Sequence, residues 1–573
     1  MKNIKIKYYF YHGRDKTVTT HFQNKTTFKH KQPLIIILRL VAVSFFLTAC
    51  ASGAAPNTVS EDSTGSNAVE QQETDENGDL TDMDTKALNI SEVFDNLKPE
   101  QSLKGITDHN PVMVQRFGAD PYALVYDGRV YIYMTGDKPS YNADGTVKEN
   151  TYGNINTINV ISSDDLVNWT DHGTIYASGL TGASTWGKNS WAPAAAYKNI
   201  DGKDKFFLYF ANNGNGIAVL TADSPMGPFT DPINKPLISR ETPTCAEVTW
   251  LFDPAVLMDD DGRAYIYFGG GIPSPEAASN PGTARVCELG DDMISLKGDP
   301  KPIENVSYLF EDSGINKIDG TYYYSYCTNF NVTPEAAKEN GFESGEIMTM
   351  KSDSPMGPFT ACNPVLKNPE RFFGVGGNNH HCMFEFEGQW YITYHARMLE
   401  KKMGIDGGYR STHIDKLVID ENNAPSVSTG TKEGVKQLKS FDPYTETKAV
   451  TMSNESGVTT KQFGDEAKKY GSGDMIVADM LPGSWISVSG ADFGEDGAAE
   501  VEVKALSEGA GAIKICLDTP ASEAAGYVDV SGADADELTT ITASLDKKIT
   551  GEHAVFFVFS GDPFRLYSWK FNK

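Results

Sequence analysis

Residues 118–134 read GADPYALVYDGRVYIYM, in which an Asp-Gly pair at 127–128 separates two apolar, aromatic-rich segments. A short turn of this composition between two such segments predicts a β-hairpin. The pattern occurs four more times, at intervals of roughly 58 to 74 residues: Asp201-Gly202 before FFLYF, Asp261-Gly262 before AYIYF, Asp319-Gly320 before YYYSY and Glu387-Gly388 before WYITYH. Repetition at this period predicts a five-bladed β-propeller.

The strand that enters each hairpin begins with a side chain able to do chemistry or to contact a ligand. These starting residues are Asp120, Trp191, Asp253, Glu311 and His380. If the entering strand lies nearest the propeller axis, all five side chains converge on one axial pocket. The alternative is that each one caps its own strand or turn, as Asp beside Gly and Pro commonly does. Their shared position in five repeats favours the pocket.

The composition narrows the class of partner. A net charge of −27 argues against a nucleic-acid ligand, which would require a basic face. The charge is compatible with a neutral polysaccharide. Six of the seven cysteines are scattered between residues 245 and 516, which is neither a disulfide framework nor a zinc pattern. A single disulfide bond between two of these cysteines remains an alternative.

The N-terminal region has the features of a targeting segment. Basic residues precede an apolar run at 33–48, which is short for a membrane span, and Leu47-Thr48-Ala49-Cys50 follows. This arrangement resembles a bacterial lipobox, which implies cleavage before Cys50, lipidation of its thiol and an extracytoplasmic, membrane-anchored protein. The alternative is an ordinary cleavable signal with an incidental cysteine. We predict a signal at 1–49 and a polar, acidic tether at 50–89 that is too poor in apolar residues to fold.

The five repeats resemble glycoside hydrolase family 43, which includes arabinofuranosidases, xylosidases and arabinanases on a five-bladed propeller. The motifs that carry the resemblance are GADPYALVYDGRVYIY, SWAPAAAY, FDPAVLMDDDGRAYIYFGG, YLFEDSGINKIDGTYYYSY, NNHHCMFEFEGQWYITYH and YRSTHIDKL, which together span about residues 110–417. The resemblance implies a propeller glycosidase domain, for which we predict the bounds 90–440.

The resemblance also implies catalytic roles. Asp120 would be the general base, Glu311 the general acid, and Asp253 would orient the acid and raise its pKa. Inverting hydrolysis needs one carboxylic acid and one carboxylate on opposite faces of the sugar. A third, negatively charged carboxylate disfavours ionisation of the acid and so keeps it protonated near neutral pH.

Ligand contacts are implied in the same way. His380 matches an axial histidine associated with calcium or a similar ion that is coordinated largely by water. Arg410 matches a residue that contacts the sugar, and Trp191, Phe252 and Trp250 are candidates to line the pocket. No organic cofactor is expected. His381, the next residue along the strand, should point to the opposite side.

The segment 441–573 reads as short alternating strands between Gly-rich turns, which predicts a β-sandwich. It resembles carbohydrate-binding module family 6, a jelly roll. This chain lacks the family's usual sugar platform, since SGADADELTTI stands at the loop position and Arg565 replaces an Asn. Lys448 and Val450 replace two acids that usually support calcium. We therefore expect the fold without the usual binding cleft, and we expect Trp485 and Trp569 in the core.

The complete prediction is an all-β enzyme, a five-bladed propeller followed by a jelly-roll sandwich. By resemblance it would remove α-L-arabinofuranosyl groups from arabinoxylan, a xylan, or its oligosaccharides with inversion. The alternatives are an exo-β-xylosidase or an enzyme with both activities, and then an endo-arabinanase. A non-catalytic sugar-binding lipoprotein is a further alternative, although such a protein would not need the three carboxylates.

Overall fold

The computed structural model describes residues 90–464 and 473–573. The predicted signal, Cys50 and the tether lie outside the described residues. What is described belongs to one unit, Thr85–Lys573, and is almost entirely β-structure. Within this part of the chain, no helix is both long and apolar enough to cross a membrane.

Five antiparallel sheets form the predicted propeller. Each sheet is a meander in which consecutive strands pair. Blade one contains β1 (Ala119–Tyr126), β2 (Arg129–Thr135), β3 (Thr157–Ser163) and β4 (Trp169–Tyr176); blade two contains β5 (Trp191–Ile200), β6 (Lys203–Ala211), β7 (Gly216–Ala222) and β8 (Ile238–Ser239); blade three contains β9 (Ala255–Met258), β10 (Ala264–Phe268), β11 (Arg285–Glu288) and β12 (Lys301–Pro302); blade four contains β13 (Leu309–Ile318), β14 (Thr321–Thr328), β15 (Ile347–Ser352) and β16 (Thr360–Leu366); blade five contains β17 (His381–Phe386), β18 (Gln389–Ala396) and β19 (Ser411–Lys416).

The acidic-Gly pairs sit where the repeat predicts them, in the turn between the first two strands of each blade. At Asp127, Asp201, Asp319 and Glu387 the φ angle is positive, between 46° and 53°, and the glycine that follows is positive as well. Two adjacent positive φ angles define the turn that matches the strand twist. Blade three uses a longer loop, in which Gly262 alone of this pair is left-handed (φ 82°).

The ring closes between the first and last blades. The segment before β1 runs beside β19, where the amide of Val112 donates to Thr412 O (2.9 Å) and the amide of Gly118 donates to Arg410 O (3.0 Å). Apolar residues of adjacent blades fill the space between them, as in the cluster that joins Ile132 of blade one to Phe384 of blade five.

Helices are short and few in the described residues. They are α1 (Pro334–Asn340), α2 (Glu370–Phe373), α3 (Met398–Met403) and two 3-10 turns at Ile90–Phe94 and Pro275–Ala277. A two-stranded sheet of β20 (Val418–Ile419) and β21 (Pro425–Ser426) follows blade five.

The C-terminal region is a β-sandwich, as predicted. One layer has the order β24-β27-β32-β29-β30 and the other β31-β28-β33-β26-β25, with β22 against β33 and a single β30–β31 pairing at the junction. The strands are β22 (Thr447–Lys448), β23 (Thr451–Met452), β24 (Asn454–Ser456), β25 (Thr459–Phe463), β26 (Asp474–Ala478), β27 (Trp485–Asp492), β28 (Ala498–Ser507), β29 (Gly511–Leu517), β30 (Ala524–Asp529), β31 (Thr539–Ile549), β32 (Glu552–Gly561) and β33 (Phe564–Asn572). Trp485 and Trp569 are each 1% exposed, which confirms them as core residues.

The sandwich is joined to the propeller through the backbone. Strand β23 pairs with β4 and so becomes a fifth strand of blade one. The segment that precedes the propeller is held by the sandwich in turn, since Trp485 Nε1 donates to Glu100 O (2.8 Å) and the amide of Glu100 donates to Gly483 O (2.8 Å).

Candidate active site

A left-handed residue marks the axial start of four blades. Asp120, Ala192, Asp253 and Asp312 have φ angles of 48°, 42°, 49° and 71°. Left-handed backbone is uncommon outside glycine, and in blades one, two and four it coincides with a register shift in the entering strand.

This pattern corrects the predicted equivalence of the axial residues. The counterpart of Asp120 and Asp253 on blade four is Asp312, and Glu311 lies one residue earlier. Likewise Ala192, and not Trp191, occupies that position on blade two. The spacing alone does not separate the two acids, because Asp120 lies seven residues before its Asp-Gly pair and Asp253 lies eight before its own, and both Asp312 and Glu311 satisfy that range on blade four.

The amide of the left-handed residue is bound by a side chain of the preceding blade in the ring. Ala192 N donates to Thr135 Oγ1 (2.8 Å), Asp312 N to Asp253 Oδ2 (2.9 Å) and Asp120 N to His395 Nδ1 (3.1 Å). These bonds tie each axial residue to a neighbouring blade. They fix the relative positions of side chains that are far apart in sequence.

Asp120 is buried in a strongly cationic setting. Arg410 Nη1 donates to Asp120 Oδ1 (2.8 Å), and Nδ1 of His395 lies 3.1 Å from the same oxygen. Burial alone would raise the pKa of Asp120, but the charge of Arg410, with contributions from His380 and His395, holds that pKa well below its usual range. Asp120 is therefore ionised, as a general base must be.

Arg410 is itself rigidly held. Its Nε and Nη2 donate to the two carboxylate oxygens of Asp137 (3.0 and 2.9 Å), and its guanidinium carbon lies 5.0 Å from the centre of the Tyr152 ring. A bidentate pair of this kind fixes the plane of the guanidinium. The Nη1 group therefore points at Asp120.

Glu311 and Asp253 have the opposite electrostatics to Asp120. Burial, followed by repulsion from Asp120 and Asp312, raises the pKa of Glu311, although a hydrogen bond from Asn378 opposes the shift. Burial and the charges of Glu311 and Asp120 raise the pKa of Asp253 as well. Because the two residues repel each other when both are ionised, the pair retains a proton near neutral pH.

Glu311 has a free oxygen. Its Oε1 is buried and has no hydrogen-bond partner among the described residues. A buried polar atom without a partner is costly unless a ligand completes its bonding. The protonated carboxyl can thus offer its proton to an atom in the pocket.

His380 lies between the carboxylates. Its Nδ1 is 3.6 Å from Asp120 Oδ1 and 3.8 Å from Asp253 Oδ2, and its Nε2 is 3.1 Å from Asp312 Oδ1. Burial lowers the pKa of His380 despite these acidic neighbours. Across residues 90–464 and 473–573, no group of three or more His, Cys, Asp or Glu side chains is arranged to hold a metal.

The aromatic candidates fall into two groups. Trp191 is partly exposed beside the pocket, and its Nε1 donates to Tyr152 O (3.0 Å). Trp250 packs edge-on against Phe252 (5.2 Å between ring centroids) and Phe310 (5.4 Å). Phe310 in turn contacts Phe330, which is 51% exposed, so this second group forms an aromatic surface next to Glu311.

Sequence reasoning missed Asp137, Tyr152 and Asp312. Asp137 lies 273 residues from its partner Arg410, and no spacing connects them. Tyr152 lies in the β2–β3 connection, which has no counterpart in the repeat. Asp312 was detectable as a second acid directly after Glu311 in FEDSG.

Among the described residues, the cysteines are free and two candidate residues of the sandwich make contacts within that domain. Five cysteines whose side chains are described, Cys245, Cys287, Cys327, Cys382 and Cys516, are free and buried. In the sandwich, Arg565 Nη2 donates to Ala535 O (2.7 Å) within the loop that replaces the sugar platform. Lys448, which stands where the module family usually has an acid, places its Nζ 3.6 Å from the centre of the Tyr567 ring.

Both regions of the chain are similar to known proteins. A model described as Glycosyl hydrolases family 43 matches residues 109–425, and one described as Carbohydrate binding module (family 6) matches residues 448–573. An arabinoxylan arabinofuranohydrolase of Paenibacillus polymyxa is 47% identical over 477 residues, 81% of this chain and 74% of the relative. One from Bacillus subtilis is 44% identical over 486 residues, 82% of this chain and 93% of the relative.

A solved structure agrees with the fold. The crystal structure of a family 43 arabinoxylan arabinofuranohydrolase from Bacillus subtilis in complex with cellotetraose has a TM-score of 0.78 and 43% identity, and the match covers 82% of this chain and 99% of that one.

Proposed function

Because the chain belongs to glycosyl hydrolase family 43, we propose that this glycoside hydrolase removes α-L-arabinofuranosyl groups from arabinoxylan or its oligosaccharides, with inversion. The observation that carries the chemistry is the division of the axial carboxylates. Asp120 is kept ionised by Arg410, whereas Glu311 and Asp253 retain a proton. The named activities of the 47% and 44% identical relatives support the substrate.

The residues divide the reaction between them. Asp120 accepts a proton from water as the water oxygen bonds to the anomeric carbon. The glycosidic C–O bond breaks on the opposite face, and the leaving oxygen takes the proton of Glu311. The Glu311–Asp253 pair holds one proton, and the charge of Asp253 keeps that proton on Glu311 until it passes to the leaving oxygen.

The pocket accounts for recognition of the sugar and of the chain that bears it. Arg410 presents donors to the hydroxyls of the sugar, and Trp191 offers an apolar face to its ring. The aromatic surface of Trp250, Phe310 and Phe330 adjoins Glu311 through Phe310, the residue that precedes this acid in the chain. It is suited to stack against a xylan backbone.

The substrate is tested by incubating the pure protein with wheat arabinoxylan, arabinan, and aryl α-L-arabinofuranoside and β-D-xyloside. The proposal expects free arabinose from arabinoxylan with no shortening of the xylan chain. Release of xylose instead would favour the xylosidase alternative, and shortening of arabinan would favour the endo-arabinanase. No turnover on any of them would leave a sugar-binding protein.

We propose that the C-terminal module serves mainly to stabilise the enzyme. Its two tryptophans are buried and Arg565 is committed to the loop at the usual platform position. Affinity electrophoresis of the whole protein, with the pocket blocked by arabinose, should show no retardation in gels that contain xylan. Retardation comparable to that of a xylan-binding control would contradict this assignment.

We propose one calcium ion at the propeller axis, with His380 as its protein ligand and water otherwise. When bound, such a cation would favour the ionised form of Asp120. Titration calorimetry with Ca²⁺ after EGTA treatment should give one site, and His380→Ala should abolish the heat. An unchanged heat in the variant would exclude His380.

We propose that Cys50 is lipidated and that the enzyme is held at the bacterial cell surface through the 50–89 segment. Expressed in a bacterial host, the protein should partition into the detergent phase of Triton X-114. The Cys50→Ala protein should partition into the aqueous phase. Equal partitioning of both would exclude a lipid on Cys50.

A further inference from the structure

Asp312 is a fully buried carboxylate that the proposed reaction does not use. It is 0% exposed, and the partners that its side chain has in the described ion pairs are the histidines His380 and His381. Burying a carboxylate without a lysine or arginine partner is expensive. A residue retained at such a cost calls for a reason other than stability.

The backbone does not require an acid at this position. Ala192 occupies the same place on blade two, with the same left-handed conformation and the same register shift. Its amide also binds a side chain of the preceding blade. An alanine is therefore compatible with this bulge, and the Asp312 carboxylate has to be explained by what its oxygens contact.

One carboxylate oxygen binds His381. Asp312 Oδ2 accepts from the His381 amide (3.1 Å) and lies 2.5 Å from His381 Nδ1, while His381 Nε2 lies 2.9 Å from Ser325 Oγ. Both nitrogens of the His381 ring are thus engaged. This chain of buried bonds fixes the orientation of the carboxylate.

The other oxygen faces the catalytic space. Asp312 Oδ1 accepts no well-aligned hydrogen bond among the described residues, yet it lies 3.1 Å from His380 Nε2. The opposite nitrogen of the same ring faces Asp120 and Asp253. The Asp312 amide binds Asp253 Oδ2. Asp312 therefore contacts His380 through its carboxylate and Asp253 through its amide.

We propose that Asp312 is a positioning residue for the axial site. Its carboxylate sets the plane of the His380 ring between Asp120 and Asp253, and its left-handed backbone aims its amide at Asp253 and places Glu311 next to it. Asp312 does not contact the sugar, so its loss should impair the chemical step more than substrate binding. This inference rests on the proposed glycosidase activity.

The test compares Asp312→Ala and Asp312→Asn with the wild-type protein on arabinoxylan oligosaccharides. We expect kcat to fall about 10- to 100-fold for Asp312→Ala, the effect of misplacing catalytic groups by a fraction of an ångström to an ångström. KM should change by less than about 3-fold, since groups that bind the sugar are untouched. Asp312→Asn keeps an acceptor for the His381 amide, so its kcat should fall less than that of Asp312→Ala.

Asp415→Asn is the matched control. Asp415 is also a buried aspartate, but it binds Tyr394 Oη (2.8 Å) and Thr431 Oγ1 (2.6 Å) and helps to close the ring. The Asp415→Asn substitution should lower the melting temperature without lowering kcat at 25 °C. An inactive wild-type protein would refute the proposed function itself. With active wild type, an unchanged kcat in both Asp312 variants would overturn the inference, as would failure of both to fold or losses no larger than in Asp415→Asn.

Discussion

Replacement of Glu311 by Gln is the sharpest test of the division of roles among the carboxylates. The variant keeps the size of the side chain and its contact with Asn378 but has no acidic proton. General acid catalysis contributes about 10²- to 10⁴-fold, which corresponds to roughly 3 to 5 kcal/mol of barrier. Glu311 is only 8% exposed, so bulk water cannot readily replace it as proton donor. We therefore expect the loss on arabinoxylan near the upper end, about 10³-fold or more.

The loss should depend on the leaving group. A nitrophenolate departs without a proton, so 4-nitrophenyl arabinofuranoside should lose about 10-fold or less in kcat. The wild-type rate on arabinoxylan should decline as the pH rises through the raised pKa of Glu311, because ionisation removes the donor. With the nitrophenyl substrate, the variant should lack this decline.

Glu455→Gln provides a control for the loss of a buried acid. Burial raises the pKa of Glu455 to about 7, yet this residue lines a separate cavity with Lys104, Val112 and Met452, where the sandwich meets the segment before blade one. It should keep wild-type kcat on both substrates. Equal losses on both substrates in Glu311→Gln, or a comparable loss in Glu455→Gln, would refute the assignment of the acid.

Three further outcomes are expected. NMR of the first product from an α-arabinofuranoside should show the β-anomer before mutarotation; the α-anomer would make Asp120 a nucleophile. A chain ending at Ser440 should melt at lower temperature or precipitate, because it loses β23 from blade one and leaves the backbone of Glu100 without its partners Trp485 and Gly483. An unchanged melting temperature would show that the sandwich is dispensable. Burial raises the pKa of Glu455 from 4.5 to about 7, so the folded protein loses stability relative to the unfolded chain as the pH rises through this range. The melting temperature of the wild type should therefore fall relative to that of Glu455→Gln between pH 5 and pH 8. A constant difference between the two melting temperatures would show that Glu455 does not titrate there.

The sequence alone predicts the features that repeat along the chain, such as the hairpins of the five blades, and the strands in which apolar and polar residues alternate. The acidic-Gly pairs predicted the hairpins, because each turn needs a left-handed φ that few residues tolerate, at both residues of the pair in four blades and at Gly262 alone in blade three. The resemblance supplied Asp120, Asp253 and Glu311, and the structure brings the three together. The roles of these residues stay predictions until they are tested by substitution.

Other features depend on contacts between distant segments. The pairing of Asp137 with Arg410 and the position of Tyr152 follow from ring closure, which local patterns do not encode. The one-residue offset of Glu311 from Asp312 depends on a bulge in β13. Strand β23 is two residues long, and nothing in Thr451–Met452 indicates that it completes a sheet of another domain.

The attachment of the leading segment to the sandwich decides where mechanical load enters the enzyme. A force applied to the chain before Ile90 is transmitted first to Val93, whose carbonyl accepts a hydrogen bond from Ser560 Oγ (3.1 Å). It is transmitted next to Glu100, whose amide donates to Gly483 O. Both partners belong to the C-terminal domain. If Cys50 carries the proposed lipid, tension on the chain is therefore borne by the sandwich before it reaches blade one, and the propeller is shielded from that load.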